Sequence, residues 1–513
     1  MNLGELPGLI ITGLELMSVL FIFSIGLILL VVVITFILDV TQHHHAIRRN
    51  YPVIGRFRAL FERLGEFFRQ YFFAMDREEL PFNRAQRVWV YLASKNKNNT
   101  RAFGSTRDLT LPGSVIFVNC PFPTLDKDSV APLELTIGDG CPKPYTTSSI
   151  INISGMSYGA LSKPAVQALS RGAHLAGCWI NTGEGGLSPY HIDGGADLVF
   201  QIGTAKYGVR NLDGSLSDEM LQELANREQI KMFEIKLSQG AKPGKGGILP
   251  GIKVTEEIAM IRGIHPHKPS ISPNRHPDIN NVDELLDMVK HIREVTGKPV
   301  GLKMVLGAYG WLDGLFESII KRGIQHAPDF ITLDSADGGT GAAPMSLMDD
   351  VGLSIKESLP MLVNKLNQHG LRQRIRVITS GKLVTPAGVA WALCAGADFI
   401  VSARGFMFAL GCIQALQCNK NTCPTGITTH NPRLQKGLDP DDKAIRVKQY
   451  VENLTHEVGV IAHSCGVDEP RQLKRFHARV VTEHGKTVAL DEMFPDVKPP
   501  IGSTVEPRES EIG

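Results

Sequence analysis

Eight short apolar runs, each closed by a small or polar residue and followed by a helix-forming stretch, restrict the architectures open to this chain. They are "SIINIS", "CWINTG", "DLVFQIG", "MFEIKLS", "PVGLKMVLG", "DFITLDS", "RVITSG" and "DFIVSA", in order from Ser149 to Ala403. Near-continuous apolar character over four to seven residues marks strands buried on both faces, the habit of parallel sheets. The segments "KPAVQALSRGAHLAG", "NVDELLDMVKHIREVTG" and "PAGVAWALCAGA" alternate with them and carry helical periodicity. Eight βα units in roughly 250 residues predict an α/β TIM (β/α)8 barrel. An open doubly wound sheet would need G-x-G-x-x-G at the first turn, and "ISGMSYGALS" does not supply it.

A barrel of this kind places chemistry at the carboxyl ends of its strands. The unusual loops fall there: "SGMSYGALS", "NTGEGG", "QGAKPGKGGILPG", "ADGGTGAAP", "SGKL" and "SARGFMF". Fifty-one glycines in 513 residues make sense if many of them line such a rim. Glycine permits sharp turns and lets backbone approach a ligand. Several Gly-rich loops in register with strand ends form a platform for a flat or phosphorylated ligand, with its phosphate against the last two loops.

The last strand leads into "GCIQALQCNKNTCPTGI", where Cys412, Cys418 and Cys423 lie within twelve positions. Eight cysteines in so long a chain are too few for a disulfide framework and fit a reducing compartment. Clustered thiolates select soft metals: zinc, copper(I) or iron–sulfur. Zinc favours paired C-x₂₋₄-C spacing and a fourth ligand, for which His430 is available. C-x₅-C-x₄-C-P lacks that pairing, and three sulfurs suit a three-iron cluster. Spacing alone leaves both open.

From Leu16 to Leu38 no side chain is charged. As a helix this run is about 35 Å long, enough to cross about 30 Å of hydrocarbon. A cleaved leader would open with positive charge, whereas here Glu5 and Glu15 come first and no Lys or Arg occurs before Arg48. Arg48, Arg49, Arg56 and Arg58 follow the run, so a single transmembrane helix is expected, with its N-terminus outside and the body in the cytoplasm. Beyond it, Phe57, Leu60, Phe61, Leu64, Phe67, Phe68 and Tyr71 recur at helical spacing. This stripe is expected to pack on its own domain, with the bilayer surface as the alternative. Histidines 43 to 45 read as polar residues at headgroup level. Net charge of +2 gives no reason to expect nucleic-acid binding.

The order "SGMSYGALS", "NTGEGG", "QGAKPGKGG-LPG-KV", "ISP", "DGGTGAAP" and "GC-x₅-C-x₄-CP-x-G" resembles the FMN-binding domain of glutamate synthases, over residues 149–432. The flanks resemble the short, membrane-associated members of the FMN-binding glutamate synthase-like family. That resemblance implies a TIM barrel carrying FMN and a 3Fe–4S cluster held by Cys412, Cys418 and Cys423. It places the flavin on Ser154, Gly155, Met156 and Ser157, with Asn181 nearby and Gly338, Gly339 and Gly341 lining another loop. Gly381, Lys382, Ala403 and Arg404 would hold the phosphate. Lys242 and Arg262 would fix the carboxylates of 2-oxoglutarate, and Glu184 would transfer protons or steer ammonia.

The chain departs from that pattern in three ways. Its first cysteine is Cys120, so no N-terminal glutaminase nucleophile is present, and no separate nicotinamide-binding domain is evident. Ammonia, and electrons from ferredoxin or a separate reductase subunit, are therefore expected from outside. Ile248 replaces a family glutamine in "KPGxGGxLPG", which makes the pocket more apolar and opens related 2-oxo acids as substrates. Three readings follow: imine reduction to an amino acid; oxidation of an amino acid or N-methylamino acid; and a non-catalytic membrane electron-transfer subunit. The expected organisation is an anchor (1–45), a helical and loop-rich lead-in (46–148), the barrel (149–432), and a helical extension with a polar tail (433–513).

Overall fold

The computed structural model describes residues 6–42, 44 and 46–498. His43, His45 and the polar tail from Pro499 lie outside the described residues. The chain forms two compact units, Met1–Ala85 and Gln86–Gly513.

In the first unit, helix α1 (Leu6–Thr41) contains the apolar run. Its segment Ile10–Thr41 is long and apolar enough to cross a membrane, and its most apolar 18-residue window is not buried in the protein. Helix α2 (Gly55–Phe68) follows and continues as one wider turn over Arg69–Phe73. Asp39, near the end of α1, accepts two bonds from the Arg56 guanidinium and one from the Val53 backbone N–H. The aromatic stripe of α2 is not covered as the sequence suggests: Phe57, Leu60, Phe61, Phe68 and Tyr71 are exposed, as are Phe72 and Phe73 beyond them. Arg58 and Glu62 pair on the same helix at 2.9 Å.

The second unit is built on a closed parallel barrel. Its strands are β1 (Ile151–Ile153), β2 (Ile180–Asn181), β3 (Leu198–Ile202), β4 (Ile230–Lys236), β5 (Val300–Val305), β6 (Phe330–Asp334), β7 (Arg376–Thr379) and β8 (Phe399–Ser402). These are the eight apolar runs. Each strand pairs with its sequence neighbour, and β8 closes on β1 with Ile400 opposite Ile151 and Ser402 opposite Ile153. Almost every strand residue is buried, because helices cover the outer face and side chains fill the interior.

Local signals fix the helices. Helix α3 (Lys163–Ala176) starts on Ser162, whose side chain accepts from the Ala165 N–H, and stops at Gly177 with φ of 65°. An N-cap of this kind contributes about 1 kcal/mol. Helix α4 (Glu256–Arg262) starts on Thr255 in the same way and ends at Gly263. Helix α5 (Arg404–Leu410) follows β8 directly, and the long α6 (Pro440–Ser464) packs across α3. Cys465, just past α6, is buried.

Toward the amino ends of the strands, Trp179, Val199, Met232, Phe330, Ile378, Phe399 and Val401 form an apolar cluster. A small hairpin, Leu135–Ile137 with Tyr145–Thr147, closes it from the lead-in. Ile137 and Tyr145 join the cluster, and the Tyr145 hydroxyl donates to Asp197. The opposite end is left free for polar loops.

Candidate active site

Above the apolar cluster the interior turns polar. A small cavity is lined by Ser154, Asn181, Glu234, Lys303 and Thr332, with Trp179, Val199 and Phe330 among its apolar neighbours. Glu234 of β4 organises this layer. It accepts from Asn181 Nδ2 at 2.8 Å, Gln201 Nε2 at 2.7 Å and Thr332 Oγ1 at 2.5 Å. Asn181 Oδ1 in turn accepts from the Gly183 N–H at 2.9 Å, and Gly155 lies close to the Asn181 and Gln201 side chains. Strands β2, β3 and β6 are thereby tied to β4 by one buried carboxylate.

Asp334, at the end of β6, is a second organiser. It accepts from Ser380 Oγ at 2.6 Å and the Gly240 N–H at 2.9 Å, with Lys303 Nζ 3.7 Å away. Burial opposes its ionisation, but Lys303, these hydrogen bonds and Arg404 outweigh burial and hold the carboxyl below its usual range. Gly381 sits beside this group at φ of 143°. A Cβ there would come within 2.2 Å of Ser335 Oγ, so the turn tolerates only glycine.

The residues proposed for a phosphate gather at this edge. Lys382 lies 3.7 Å from Asp337, and the Arg404 guanidinium donates to the Asp337 carbonyl while lying against Gly339. Burial pushes Arg404 down to about 10. Ala403 is the N-cap of α5. Gly338 packs against Gly240 and Asp334, whereas Gly341 faces open space.

Across the rim, Glu184, Lys242 and Arg262 converge, and Lys236 of β4 joins them. Lys236 Nζ lies 3.0 Å from Glu184 Oε2 and donates to Gln239 Oε1. Glu184 is backed by Gly247, where a Cβ would fall 2.3 Å from Glu184 Oε1. Burial disfavours the Glu184 carboxylate, yet Lys236, Lys242 and Arg262 together hold its pKa below the usual value. Lys242 is 3% exposed. Burial pushes it down to about 8 in spite of Glu184. Arg262 donates to Ser270 Oγ and to the Tyr158 carbonyl, both at 3.3 Å, and stacks over the Tyr207 ring. Its buried Nε has no partner. Three cations thus face one carboxylate, an excess of positive charge that suits a ligand with two negative charges.

Ile248, next to Gly247, pairs with Ile271 in a two-strand bridge, which puts the glutamine-to-isoleucine departure beside Glu184. The sequence reading missed Lys236, Glu234, Lys303 and Asp334. The signal was present: each is a charge inside an otherwise apolar strand run, "MFEIKLS", "GLKMV" or "DFITLDS".

The cysteine loop lies just past α5. Cys412 and Cys418 are half-buried and Cys423 is buried. The three are close enough for each thiol to feel the others' charge. Among the described residues no group of three His, Cys, Asp or Glu stands close enough to close on a single ion. His430 is committed elsewhere, with Nε2 2.8 Å from the Gly159 carbonyl. Burial pushes Cys412 up to about 12 and raises Cys418. Burial also works against the Cys423 thiolate, but hydrogen bonds from Thr425 and Thr428 win and lower that thiol. The Thr428 hydroxyl is buried against the Cys418 and Cys423 sulfurs. Tyr91, from the helix Arg84–Ser94, ties the loop down by donating to the Cys412 carbonyl at 2.6 Å.

Comparison with known proteins agrees with this geometry. Residues 125–468 match the family model described as a conserved region in glutamate synthase. The glutamate synthase large subunit-like protein YerD of Bacillus subtilis is 41% identical, over 92% of this chain and 97% of its own length. An archaeal glutamate synthase [NADPH] of Methanocaldococcus jannaschii is 34% identical over 63% of this chain and 60% of its own. A glutamate synthase large subunit-like protein of Rhizobium meliloti is 31% identical over 65% of this chain and 75% of its own. This chain belongs to the glutamate synthase family of oxidoreductases.

Proposed function

We propose that this protein is an FMN- and 3Fe–4S-dependent oxidoreductase that reduces the imine of 2-oxoglutarate, or of a related 2-oxo acid, to the amino acid. The observation that carries the reading is the buried excess of positive charge at Lys236, Lys242 and Arg262 around Glu184. A dicarboxylic acid neutralises it, and charge-assisted bonds from Lys242 and Arg262 fix the acid's orientation. FMN, when bound, supplies hydride transfer, and it also converts single electrons to pairs. Glu184, ionised and against Lys236, is placed to hold ammonia or to move the proton that imine formation and reduction require. The apolar Ile248 makes this wall less polar and admits related 2-oxo acids beside 2-oxoglutarate.

The rim offers a matching cradle for the cofactor. Ser154, Gly155, Met156, Ser157 and Asn181 would meet its ring, and Gly338 and Gly339 would flank it. Gly381, Lys382, Ala403 and Arg404 would receive its phosphate. Gly341, where a Cβ would meet no protein atom, would line the same loop as Gly338 and Gly339. Cys412, Cys418 and Cys423 would hold the iron cluster, with ammonia and an external one-electron donor such as a ferredoxin as the other partners.

Helix α1 would span a membrane once, with its N-terminus outside. The exposed aromatic face of α2, clamped to the end of α1 by Asp39 and Arg56, would lie in the interface of the same bilayer. The direct test supplies 2-oxoglutarate, ammonium and chemically reduced ferredoxin under anaerobic conditions. Glutamate should accumulate. If the flavin is reduced and reoxidised without any amino acid forming, the substrate assignment is wrong. Bleaching of the flavin by amino acids alone would instead favour the oxidative direction.

A further inference from the structure

Lys253 has no place in the site as described so far, although it is 2% exposed and lies between its two halves. It ends the short turn Gly251–Lys253 that follows "LPG". Its Nζ donates to the Ala160 carbonyl at 2.7 Å, in the loop after β1, and to the Cys418 carbonyl at 3.3 Å, in the cysteine loop. Among the described residues no carboxylate pairs with it. The charged or chargeable groups that face it are Cys418, Cys423 and the guanidinium of Arg262, with His430 close by. Two carbonyl dipoles are a poor substitute for water around a buried ammonium, and an unpaired buried charge costs several kcal/mol. Such a group is stable where an anion belongs beside it. Among the described residues, the anionic groups that act on it are the Cys418 and Cys423 sulfurs.

We infer that Lys253 is the fixed countercharge of the iron–sulfur cluster, a positioning residue that ties the cysteine loop to the flavin-side loop and makes the cluster easier to reduce. The inference rests on the assignment of Cys412, Cys418 and Cys423 as cluster ligands. Three thiolates give the cluster negative charge, and the electron it accepts from the external one-electron donor adds one more. A cation held nearby stabilises the reduced form more than the oxidised one. No bond is made or broken, and Lys253 keeps its proton throughout.

The test is an EPR-monitored redox titration of the full chain in detergent, comparing the natural protein with Lys253→Met, Lys253→Gln and Lys253→Arg. Loss of the charge should move the cluster's midpoint to more negative potential. The reduced fraction at fixed potential should fall about tenfold, which is 59 mV for one electron. Lys253→Arg should stay near the natural value. A cluster-loaded Lys253→Met with an unchanged midpoint overturns the inference. If Met and Gln variants lose iron while the Arg variant retains it, the charge is needed even to hold the cluster, which supports the countercharge role. If all three lose iron and also melt early by circular dichroism, Lys253 serves folding alone and the inference is wrong. A natural protein without iron refutes the cysteine assignment itself, a separate result.

Discussion

Lys242 carries its proton at neutral pH and gives it up near 8, because burial outweighs the attraction of Glu184. The free enzyme therefore loses one of its two substrate-facing cations as pH rises past that point. We expect kcat/KM for the 2-oxo acid to fall above about pH 8, and Lys242→Arg to move that limb upward. Stability should move the other way. The folded-state pKa lies below the ordinary lysine value, so between about 8 and 10.5 the unfolded chain binds more protons, and stability rises with pH. An activity loss that tracked unfolding would contradict this assignment. Truncating either cation tests binding directly: Lys242→Ala or Arg262→Ala should raise KM for a dicarboxylic acid roughly 10- to 100-fold, with less effect on a monocarboxylic one. Of this cluster, Glu184, Lys242 and Arg262 were named in the sequence through the family resemblance, the first two in loop motifs and Arg262 at the end of α4. Lys236 was not, since a lysine ending a buried strand reads as ordinary alternation until the barrel curls it toward Glu184.

Among the elements, the strands were the most legible, because burial on both faces writes itself as unbroken apolar runs. The hairpin that plugs the base was not, as its three-residue strands are too short to show a period. The polar belt inside the barrel was also hidden, since it is assembled from residues far apart in the chain. Glu234 joins β2, β3 and β6 through three hydrogen bonds. Glu234→Ala strands three buried donors and should cost about 3 kcal/mol or more in a denaturant titration. For α2, helical spacing suggested packing on its own domain, and the structure instead leaves Phe61 and Phe68 exposed. In liposomes, Phe61→Trp should emit at short wavelength and be quenched by brominated lipid. Emission at long wavelength, quenched by iodide in solution, would place α2 in water.

At the scale of the molecule, two kinds of information meet. The barrel with its rim loops followed from periodicity, and the family match over residues 125–468 covers that barrel and all of α6. Relatedness of 41% to YerD extends over 92% of the chain, well beyond the barrel. What neither source carries is the identity of the acid, which depends on how Ile248 reshapes the wall beside Glu184. The account as a whole turns on iron and flavin being held together at one rim. An anaerobic preparation of the full chain in detergent, assayed for iron, sulfide, zinc and FMN alongside EPR, tests it most directly. We predict about three irons to each FMN, and an EPR signal in the oxidised protein that vanishes on reduction. Colourless protein, or zinc bound in place of iron, would contradict the account.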